Sequence, residues 1–219
     1  MKIVDASYEI LTPISEGGIE ELRYIENIAR VCYKSENSAS EDGESAKRMI
    51  KSLIKNHHDA MLEHSMLSVK FIVDRAFSHE LVRHRMAGFA QESQRYVNYS
   101  NEKFGSELTF IKPCYFDEDI NNFKNNYLYW WTAMNNAEVS YFALLENGAT
   151  PQEARSVLPN STKTEIVITA NYREWRHILN LRAVGITGKP SPQMTEVMVP
   201  LLKELQDKLP IIFDDIEEN

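Results

Sequence analysis

Residues 67–85, LSVKFIVDRAFSHELVRHR, combine a strand pattern, a helix pattern and a cluster of basic side chains. Apolar residues occupy every second position from Leu67 to Val73, which is typical of a strand with one buried face. Asp74 stands where a helix N-cap is expected, and the spacing predicts a helix that runs through Arg85. This stretch therefore predicts a strand that leads directly into a helix with a basic end.

The same organisation recurs at residues 164–183, TEIVITANYREWRHILNLRA. The β-branched run at 164–170 predicts a strand, and Asn171 predicts the N-cap of the next helix, with Glu174 three residues later. That helix is expected to include Arg182. Helix N-termini and guanidinium groups both attract anions, so the two strand–helix units predict anion-binding groups near the ends of a sheet.

The flanking sequence predicts further elements of both kinds. Strands are expected at 2–11 and 107–112, and helices at 18–32, 46–54, 118–147 and from Thr150 onward. A last helix is expected from Ser191 onward, where Pro200 should kink it or remove a hydrogen bond. We therefore predict an α/β fold of the α+β type, with a central, mostly antiparallel sheet flanked by helices. No linker or repeat interrupts the chain, so a single domain over 1–219 is expected.

The composition excludes several classes of protein. Of 219 residues, 43% are hydrophobic, enough for a core, and the net charge of −8 argues against bulk nucleic-acid binding. Asp5 and Glu9 interrupt any signal-peptide core, and no run approaches a membrane span. Cys32 and Cys114 form no metal or disulfide framework, and we predict no metal site. These observations predict a soluble, cytoplasmic protein without a membrane or nucleic-acid partner.

The arginines are segregated along the chain. There are 11, and none lies between Tyr96 and Ala154. Eight fall in two windows: Arg75, Arg83, Arg85 and Arg95, then Arg155, Arg173, Arg176 and Arg182. Because arginine binds phosphate and carboxylate in a bidentate manner, the pattern predicts that two distant segments converge on an anionic ligand. Arginines that merely solvate helix faces are the alternative on charge alone.

One motif is more specific than the charge pattern. Within HELVRHRMAGFAQESQRY (79–96), Arg83-His84-Arg85 is followed after seven residues by Ser93, and then by Arg95-Tyr96. This resembles the signature of the flavin-dependent thymidylate synthases. Further segments occur in that family's order: ARVCY (29–33), a His-x-x-x-x-Glu-His element (58–64), ARSVLPN (154–160) and ITANYREWRHILNLRA (168–183).

The resemblance implies a homotetramer that methylates dUMP at C5 to form dTMP. Methylene-tetrahydrofolate would supply the carbon and reduced FAD the hydride, with NADPH re-reducing the flavin. By matching position, the expected flavin contacts are His58, Ala60, Arg83, His84, Arg85, Gln91, Asn171, Arg173 and His177. The expected dUMP contacts are Glu80, Leu81, Val82, Arg83, Gln91, Glu92, Ser93, Gln94, Arg95, Arg155 and Arg182.

Two residues are implied as catalytic, Arg182 and Ser93. The family arginine that matches Arg182 faces the uracil ring, where a fixed cation stabilises developing negative charge and makes C5 nucleophilic. Ser93 could act as a nucleophile with His84 as its base, or could only hydrogen-bond the nucleotide phosphate, and we favour binding. Ala60 replaces a frequent Ser or Thr, which leaves only a backbone contact to FAD there.

Two other functions stay open. Cys114, which follows a proline, could be the nucleophile of a flavin-free, cysteine-dependent thymidylate synthase. The segment from Arg83 to Arg95 could instead be a phosphate rail in a nucleic-acid-binding module, although the net charge disfavours it. A yellow purified protein would favour the flavin enzyme over both alternatives.

Overall fold

The computed structural model describes residues 1–100, 106–116 and 125–217. The strands are β1 (Lys2–Val4), β2 (Ser7–Ile10), β3 (Met66–Asp74), β4 (Gly88–Gln91), β5 (Thr109–Ile111) and β6 (Lys163–Asn171). The helices are α1 (Ile19–Val31), α2 (Glu44–Lys55), α3 (Arg75–Leu81), α4 (Asn126–Glu146), α5 (Pro151–Ala154), α6 (Tyr172–Leu179), α7 (Pro192–Lys208) and α8 (Pro210–Phe213). Short 3₁₀ turns lie at Glu16–Gly18, Glu36–Ser38, Asp59–His64 and Arg155–Val157.

The main sheet has four antiparallel strands in the order β2-β3-β6-β4. A second, two-stranded sheet pairs β1 with β5 in parallel, with Lys2 opposite Thr109 and Val4 opposite Ile111. The predicted α+β architecture is therefore confirmed. The single strand expected at 2–11 was wrong, because the chain leaves the two-stranded sheet after Val4 and enters the main sheet at Ser7.

The two long central strands, β3 and β6, show why these sequences form a sheet. Alternate residues are buried in both: Leu67, Val69, Phe71 and Val73 in β3, and Thr164, Ile166, Ile168 and Ala170 in β6. The opposite face is half-exposed, and Lys70 of β3 there contacts Glu165 of β6 at 2.6 Å. An apolar face and a charged face thus fix the register of each strand, since a slip of one residue would exchange them.

The chain divides into two compact units, each made of several segments. Unit 1 comprises residues 1–8, 70–83 and 89–167, and unit 2 comprises residues 9–69, 84–88 and 168–219. The core of unit 1 forms around α4, with Trp130 and Tyr141 packed near Phe110. In unit 2 the largest buried side chain is that of Trp175, whose Nε1–H donates to the Leu67 carbonyl at 2.9 Å.

Helix α3 ends at Leu81, so the helix expected to run through Arg85 was wrong. Asp74 does cap it, since its Oδ1 accepts from the Phe77 amide at 2.6 Å. His84 is buried whereas both neighbouring arginines are exposed, an alternation that does not fit a solvated helix end. Tertiary burial of His84 therefore overrides helix propensity, and Glu80 and His84 do not share a helix face.

Other predicted helices need smaller corrections. Of the helix expected at 118–147, residues 118–124 lie outside the described residues, and the remainder forms α4. Helix α7 continues through Pro200, and α8 follows it, so the helix that begins after Ser191 is not the last. Helix α6 ends at Leu179, and a π-helical turn over Asn180–Val184 carries Arg182.

Candidate functional site

The predicted site residues separate between the two compact units. All the expected flavin contacts except Arg83 and Gln91 lie in unit 2. All the expected dUMP contacts except Arg182 lie in unit 1. We therefore describe one cluster in each unit.

A cavity of ≈ 340 Å³ in unit 2 gathers three of the expected flavin contacts. Its lining residues are Glu63, Met86, Asn171, Arg173, Glu174 and His177. Asn171 caps α6, since its Oδ1 accepts from the Glu174 amide at 2.8 Å, and this cap places Arg173 and His177 on the first turns of the helix. Arg173 Nη1 pairs with Glu63 Oε1 at 2.5 Å.

His84 lies at the centre of a second group of contacts in unit 2. Arg182 donates from Nε to Nε2 of His84 at 3.1 Å, and Glu174 Oε1 lies 3.5 Å from Nδ1 of the same ring. The ring of His177 stands edge-on to that of His84, with centroids 5.8 Å apart. This contact brings the second arginine window against the first at His84. That the two segments converge on an anionic ligand stays a prediction.

Burial is the largest cause that lowers the pKa of His84, and together with the neighbouring Arg182 and His177 it brings that pKa to about 4. The ring is therefore neutral at physiological pH. Burial raises the pKa of Glu174, and His177 opposes that shift. A neutral imidazole that already accepts a hydrogen bond at Nε2 is a poor base.

In unit 1, Gln91 belongs to a buried polar cluster. Its Nε2 donates to Ser78 Oγ at 3.0 Å and to Thr164 Oγ1 at 3.2 Å. Arg75 Nη1 reaches the same Thr164 hydroxyl at 3.3 Å. Burial lowers the pKa of Arg75. Tyr99 and Glu92 oppose that shift, and the positive charge of Arg155 adds a smaller effect in the same direction as burial.

Ser93 and Arg95 form a turn in unit 1 after strand β4. The Arg95 amide donates to Ser93 Oγ at 3.3 Å, and the Ser93 carbonyl accepts from the Val97 amide at 3.0 Å. Arg95 Nε donates to Gln152 Oε1 of helix α5 at 2.8 Å. The serine hydroxyl oxygen therefore accepts from the backbone, as in a turn, and its O–H remains able to donate to a ligand.

Glu92 is bonded mainly within the protein. Its carboxylate accepts from Tyr99 Oη at 2.6 Å and from Lys163 Nζ at 3.2 Å, and its amide donates to the Glu165 carbonyl at 2.9 Å. These groups line a larger cavity of ≈ 680 Å³ in unit 1. The side chain of Glu92 is thus largely occupied by bonds within the protein, and Leu81, another expected dUMP contact, is fully buried in the core.

The family of this chain follows from a match over most of its sequence. The sequence model for thymidylate synthase complementing proteins, Thy1, matches residues 19–211. The chain belongs to the Thy1 family. The match spans both strand–helix units and the Arg-His-Arg motif, so the resemblance seen in the sequence is confirmed.

Individual relatives of this Thy1 protein agree with the assignment. A flavin-dependent thymidylate synthase from Corynebacterium aurimucosum is 32% identical over 92% of this chain and 82% of its own length. One from Geobacter sulfurreducens is 29% identical over 85% of this chain and 78% of its own length. These names indicate a flavin cofactor, and they favour the flavin enzyme over the cysteine-dependent synthase and the phosphate rail.

A solved structure shares the fold of this Thy1 chain. It is the UMP/dUMP methylase PolB from Streptomyces cacaoi, crystallised with 5-Br dUMP, with a TM-score of 0.76 and 20% sequence identity. The alignment covers 98% of this chain and 96% of that one. Among the residues described for the Thy1 protein, no helix has the length and apolar character needed to cross a membrane.

The unit 2 cavity offers polar groups that could hold part of a flavin cofactor, together with the two carboxylates of Glu63 and Glu174. Within the described part of the chain, Arg173 bonds to Glu63 through Nη1 alone. Arg85 is exposed, and it directly follows the buried His84 in the sequence. Guanidinium groups suit a pyrophosphate, and the amide of Asn171 and the ring of His177 add polar groups that suit the edge of a ring system. Met86, which is 75% exposed, provides an adaptable apolar contact.

Sequence reasoning missed three residues that contact the predicted ones. Glu63 pairs with Arg173, Glu174 faces His84, and the Thr164 hydroxyl joins Gln91 to Arg75. One signal existed for Glu174, which lies three residues before His177 and so shares its face of the helix. The sequence pattern had already explained Glu174 as the third residue after the N-cap Asn171, so no contact with another segment was expected. For Thr164 no signal existed, because a threonine is common in a β-strand whether or not its hydroxyl has a functional contact.

Proposed function

We propose that this Thy1 protein is a flavin-dependent thymidylate synthase. It methylates dUMP at C5 to form dTMP, with methylene-tetrahydrofolate as the carbon donor, FAD as the cofactor and NADPH as the source of reducing equivalents. The observation that supports this most is the family match over residues 19–211. The contact between Arg182 and His84 adds a structural reason, because it joins the two segments that carry the arginines.

The residues of unit 2 would hold the flavin, which supplies a hydride when it is bound and reduced. Arg173 and Arg85 would neutralise the pyrophosphate, and Asn171 and His177 would bind polar groups of the cofactor. His58 and Ala60 lie at the start of the 3₁₀ turn Asp59–His64, which also positions Glu63, the partner of Arg173. The neutral ring of His84 would orient Arg182, whose Nε–H donates to its Nε2 atom.

The residues of unit 1 would bind the uridylate. Arg95 and Arg155 would bind the phosphate, together with Arg83 from the Arg-His-Arg motif and the hydroxyl of Ser93. Gln91 is held by Ser78 and Thr164, so its amide has a defined orientation toward a ligand. The remaining expected contacts, which lie beside these residues in sequence, are Glu80, Leu81, Val82, Glu92 and Gln94.

Arg182 would face the uracil ring and stabilise the negative charge that develops on it, which makes C5 nucleophilic. A permanently charged guanidinium suits this role, since it cannot lose its proton. Ser93 would bind the nucleotide without forming a covalent link. This follows from the state of His84, which is neutral with a low pKa and already accepts at Nε2, and so would not activate a serine.

The assembly and location of the protein complete the proposal. We propose a homotetramer with sites at its subunit interfaces, a state that is compatible with the exposed apolar side chains of Tyr129 and Val139 on helix α4. A cytoplasmic location is consistent with the exposure of Cys32 and Cys114, which suits a reducing compartment.

The test begins with the colour of the purified protein. We expect visible flavin absorption, and release of tritium from C5-labelled dUMP that requires NADPH and methylene-tetrahydrofolate together. Omitting either co-substrate is the internal control. A colourless protein that cannot be loaded with FAD, or tritium release that is independent of flavin, would contradict the proposal.

A further inference from the structure

The tautomer of His84 follows from its contact with Arg182. An arginine side chain has only donors, so the Nε2 atom that lies 3.1 Å from Arg182 Nε must be the unprotonated nitrogen of the ring. A neutral imidazole then carries its proton on Nδ1. That nitrogen is the one that faces Glu174, with Oε1 at 3.5 Å. The three side chains therefore form an ordered series, carboxylate to imidazole to guanidinium.

We propose that Glu174 is a positioning residue for the reaction: its carboxylate holds the Nδ1–H tautomer of His84, so that Nε2 stays an acceptor and orients the Arg182 guanidinium. The inference rests on the proposed function in one respect, the role of Arg182 at the uracil ring. Glu174 also lines the unit 2 cavity, and in this proposal its effect on the reaction passes through His84.

Burial makes this arrangement selective. The side chains of His84 and Glu174 are only 4% and 13% exposed, so water does not readily replace either partner. If the opposite tautomer formed, Nε2–H would point at an Arg182 donor and Nδ1 would present a lone pair to a carboxylate. Both contacts would become repulsive. The energy difference between the tautomers thus depends on Glu174 at one side of the ring and Arg182 at the other.

Protonation of His84 would also break the contact with Arg182. The titratable and charged groups that face the ring are Arg182 from the π-helical turn, and His177 and Glu174 from helix α6. Burial, Arg182 and His177 all disfavour the imidazolium and together lower the pKa of His84 to about 4. The acceptor state of Nε2 therefore persists through the neutral pH range.

The backbone holds Glu174 in place for this role. Its amide donates to Asn171 Oδ1 at 2.8 Å, which fixes the first turn of α6. In helix α5 the residue at the same position, Glu153, folds back so that Oε2 accepts from the Thr150 amide at 2.7 Å. The carboxylate of Glu174 lies against His84 instead. The two helices therefore share a cap pattern, but only in α6 is the third-position carboxylate directed to a candidate site.

The experiment compares Glu174→Ala and Glu174→Gln in the holoenzyme, with Glu153→Ala as the matched control. We expect Glu174→Ala to lower kcat about 10–100-fold with a smaller change in KM for dUMP, because Arg182 acts on charge that develops during the reaction. Glu174→Gln keeps an oxygen that can accept from Nδ1–H, and should recover most of the loss. Glu153→Ala should leave kcat unchanged.

A second readout does not depend on activity. The ¹⁵N shifts of selectively labelled histidine identify the protonated ring nitrogen, with His84→Gln used for assignment. We expect the Nδ1–H tautomer in the wild type and in Glu174→Gln, and a mixture of tautomers in Glu174→Ala. An Nε2–H tautomer in the wild type would overturn the inference even if Glu174→Ala failed to fold, as would wild-type kcat in Glu174→Ala. Absence of thymidylate synthesis in the wild type would count against the proposed function alone.

Discussion

Arg182 and His84 are separated by 98 positions in the sequence, and the Nε–H of the first donates to Nε2 of the second at 3.1 Å. This contact connects the π-helical turn after α6 to the Arg-His-Arg motif after α3. A π-helical turn interrupts the regular helix and often marks a functional residue. Here it ends α6 and carries the arginine that we assign to the uracil ring.

Replacing Arg182 tests that assignment directly. We expect Arg182→Ala to lower dTMP formation by at least about 100-fold, because a fixed cation aimed at developing charge contributes several kcal/mol. Arg182→Lys keeps the charge but loses the Nε–H donor to His84, so only part of the activity should return. Tritium release from C5-labelled dUMP measures both, with thermal unfolding as the check of the fold. Release at the wild-type rate from Arg182→Ala would contradict the assignment.

The outline of the fold could be predicted because its two central strands alternate apolar and polar residues over their full length. The caps were also local signals, and Asp74 and Asn171 both accept from the amide three residues on. Strand β4, Gly88–Gln91, was not predicted. It is only four residues long, which is too short to show a clear alternation of apolar and polar residues. Its partner β6 lies in a distant part of the chain, so no local signal indicates the pairing.

The site was harder to predict than the fold, for a physical reason. The Arg-His-Arg motif indicated which residues matter, but the end of α3 at Leu81 depends on the burial of His84, which is a tertiary effect. The role of Glu174 depends on the orientation of its side chain. A glutamate at the third position of a helix can close a capping box, as Glu153 does, or face a neighbouring element, and both have the same sequence pattern.

The low pKa of His84 predicts a pH dependence of stability. The unfolded chain binds a proton at this residue near pH 6.5, whereas the folded chain does so only near pH 4. The unfolded state therefore binds more protons between these values. We expect this contribution to be fully present above pH 6.5 and lost as the pH falls through about 4, and to amount to about 3 kcal/mol in total.

Denaturant titrations of the flavin-free protein between pH 4 and 7.5 would measure it. Carboxylates also titrate near pH 4, so the wild type is compared with His84→Gln. The free energy of unfolding of that variant should change less between pH 4 and 7.5. His79→Gln removes an exposed histidine from the same segment and should behave as the wild type. Equal pH slopes in His84→Gln and the wild type would show that His84 is not the group responsible.

Ser93 is expected to bind substrate without serving as a nucleophile. Ser93→Ala removes one hydroxyl from the proposed phosphate site and should raise KM for dUMP about 3–10-fold, the cost of one hydrogen bond, with kcat largely retained. Steady-state kinetics measures the two parameters. Complete loss of activity, together with a trapped serine–nucleotide adduct in the wild type, would require a covalent mechanism.

Arg173 is expected to bind the flavin through its pyrophosphate. Arg173→Ala should weaken FAD binding about 10–100-fold, the range expected for a hydrogen bond to a charged group. Glu63→Gln removes the anion that pairs with Arg173 at 2.5 Å, and should leave FAD binding unchanged or strengthen it. Flavin fluorescence titration measures both. Arg23 pairs with Glu20 at 2.8 Å outside the cavity lining, so Arg23→Ala is the matched control and should leave FAD binding unchanged. If Arg173→Ala binds FAD as the wild type does, the pyrophosphate is held elsewhere.

Gly185 is expected to be necessary for the position of Arg182. Its amide closes the π-helical turn by donating to the Asn180 carbonyl at 2.9 Å, and its φ is +80°. An added Cβ would lie 2.6 Å from Pro190 Cδ and 2.8 Å from the Gly188 carbonyl oxygen, so the turn would have to shift. Gly185→Ala should therefore reduce both stability and kcat.

Gly148→Ala is the matched control for that substitution. Gly148 has φ of +90°, but a Cβ there meets nothing within 4 Å, so only the backbone strain of about 1–2 kcal/mol applies. We expect Gly148→Ala to lower stability by that amount with kcat unchanged, and Gly185→Ala to lose more stability and to lower kcat as well. Unfolding curves and tritium release measure the two effects. If both variants lost equal stability and kept full activity, the clash at Pro190 would be absorbed without moving Arg182, and the π-helical turn would have no part in placing it.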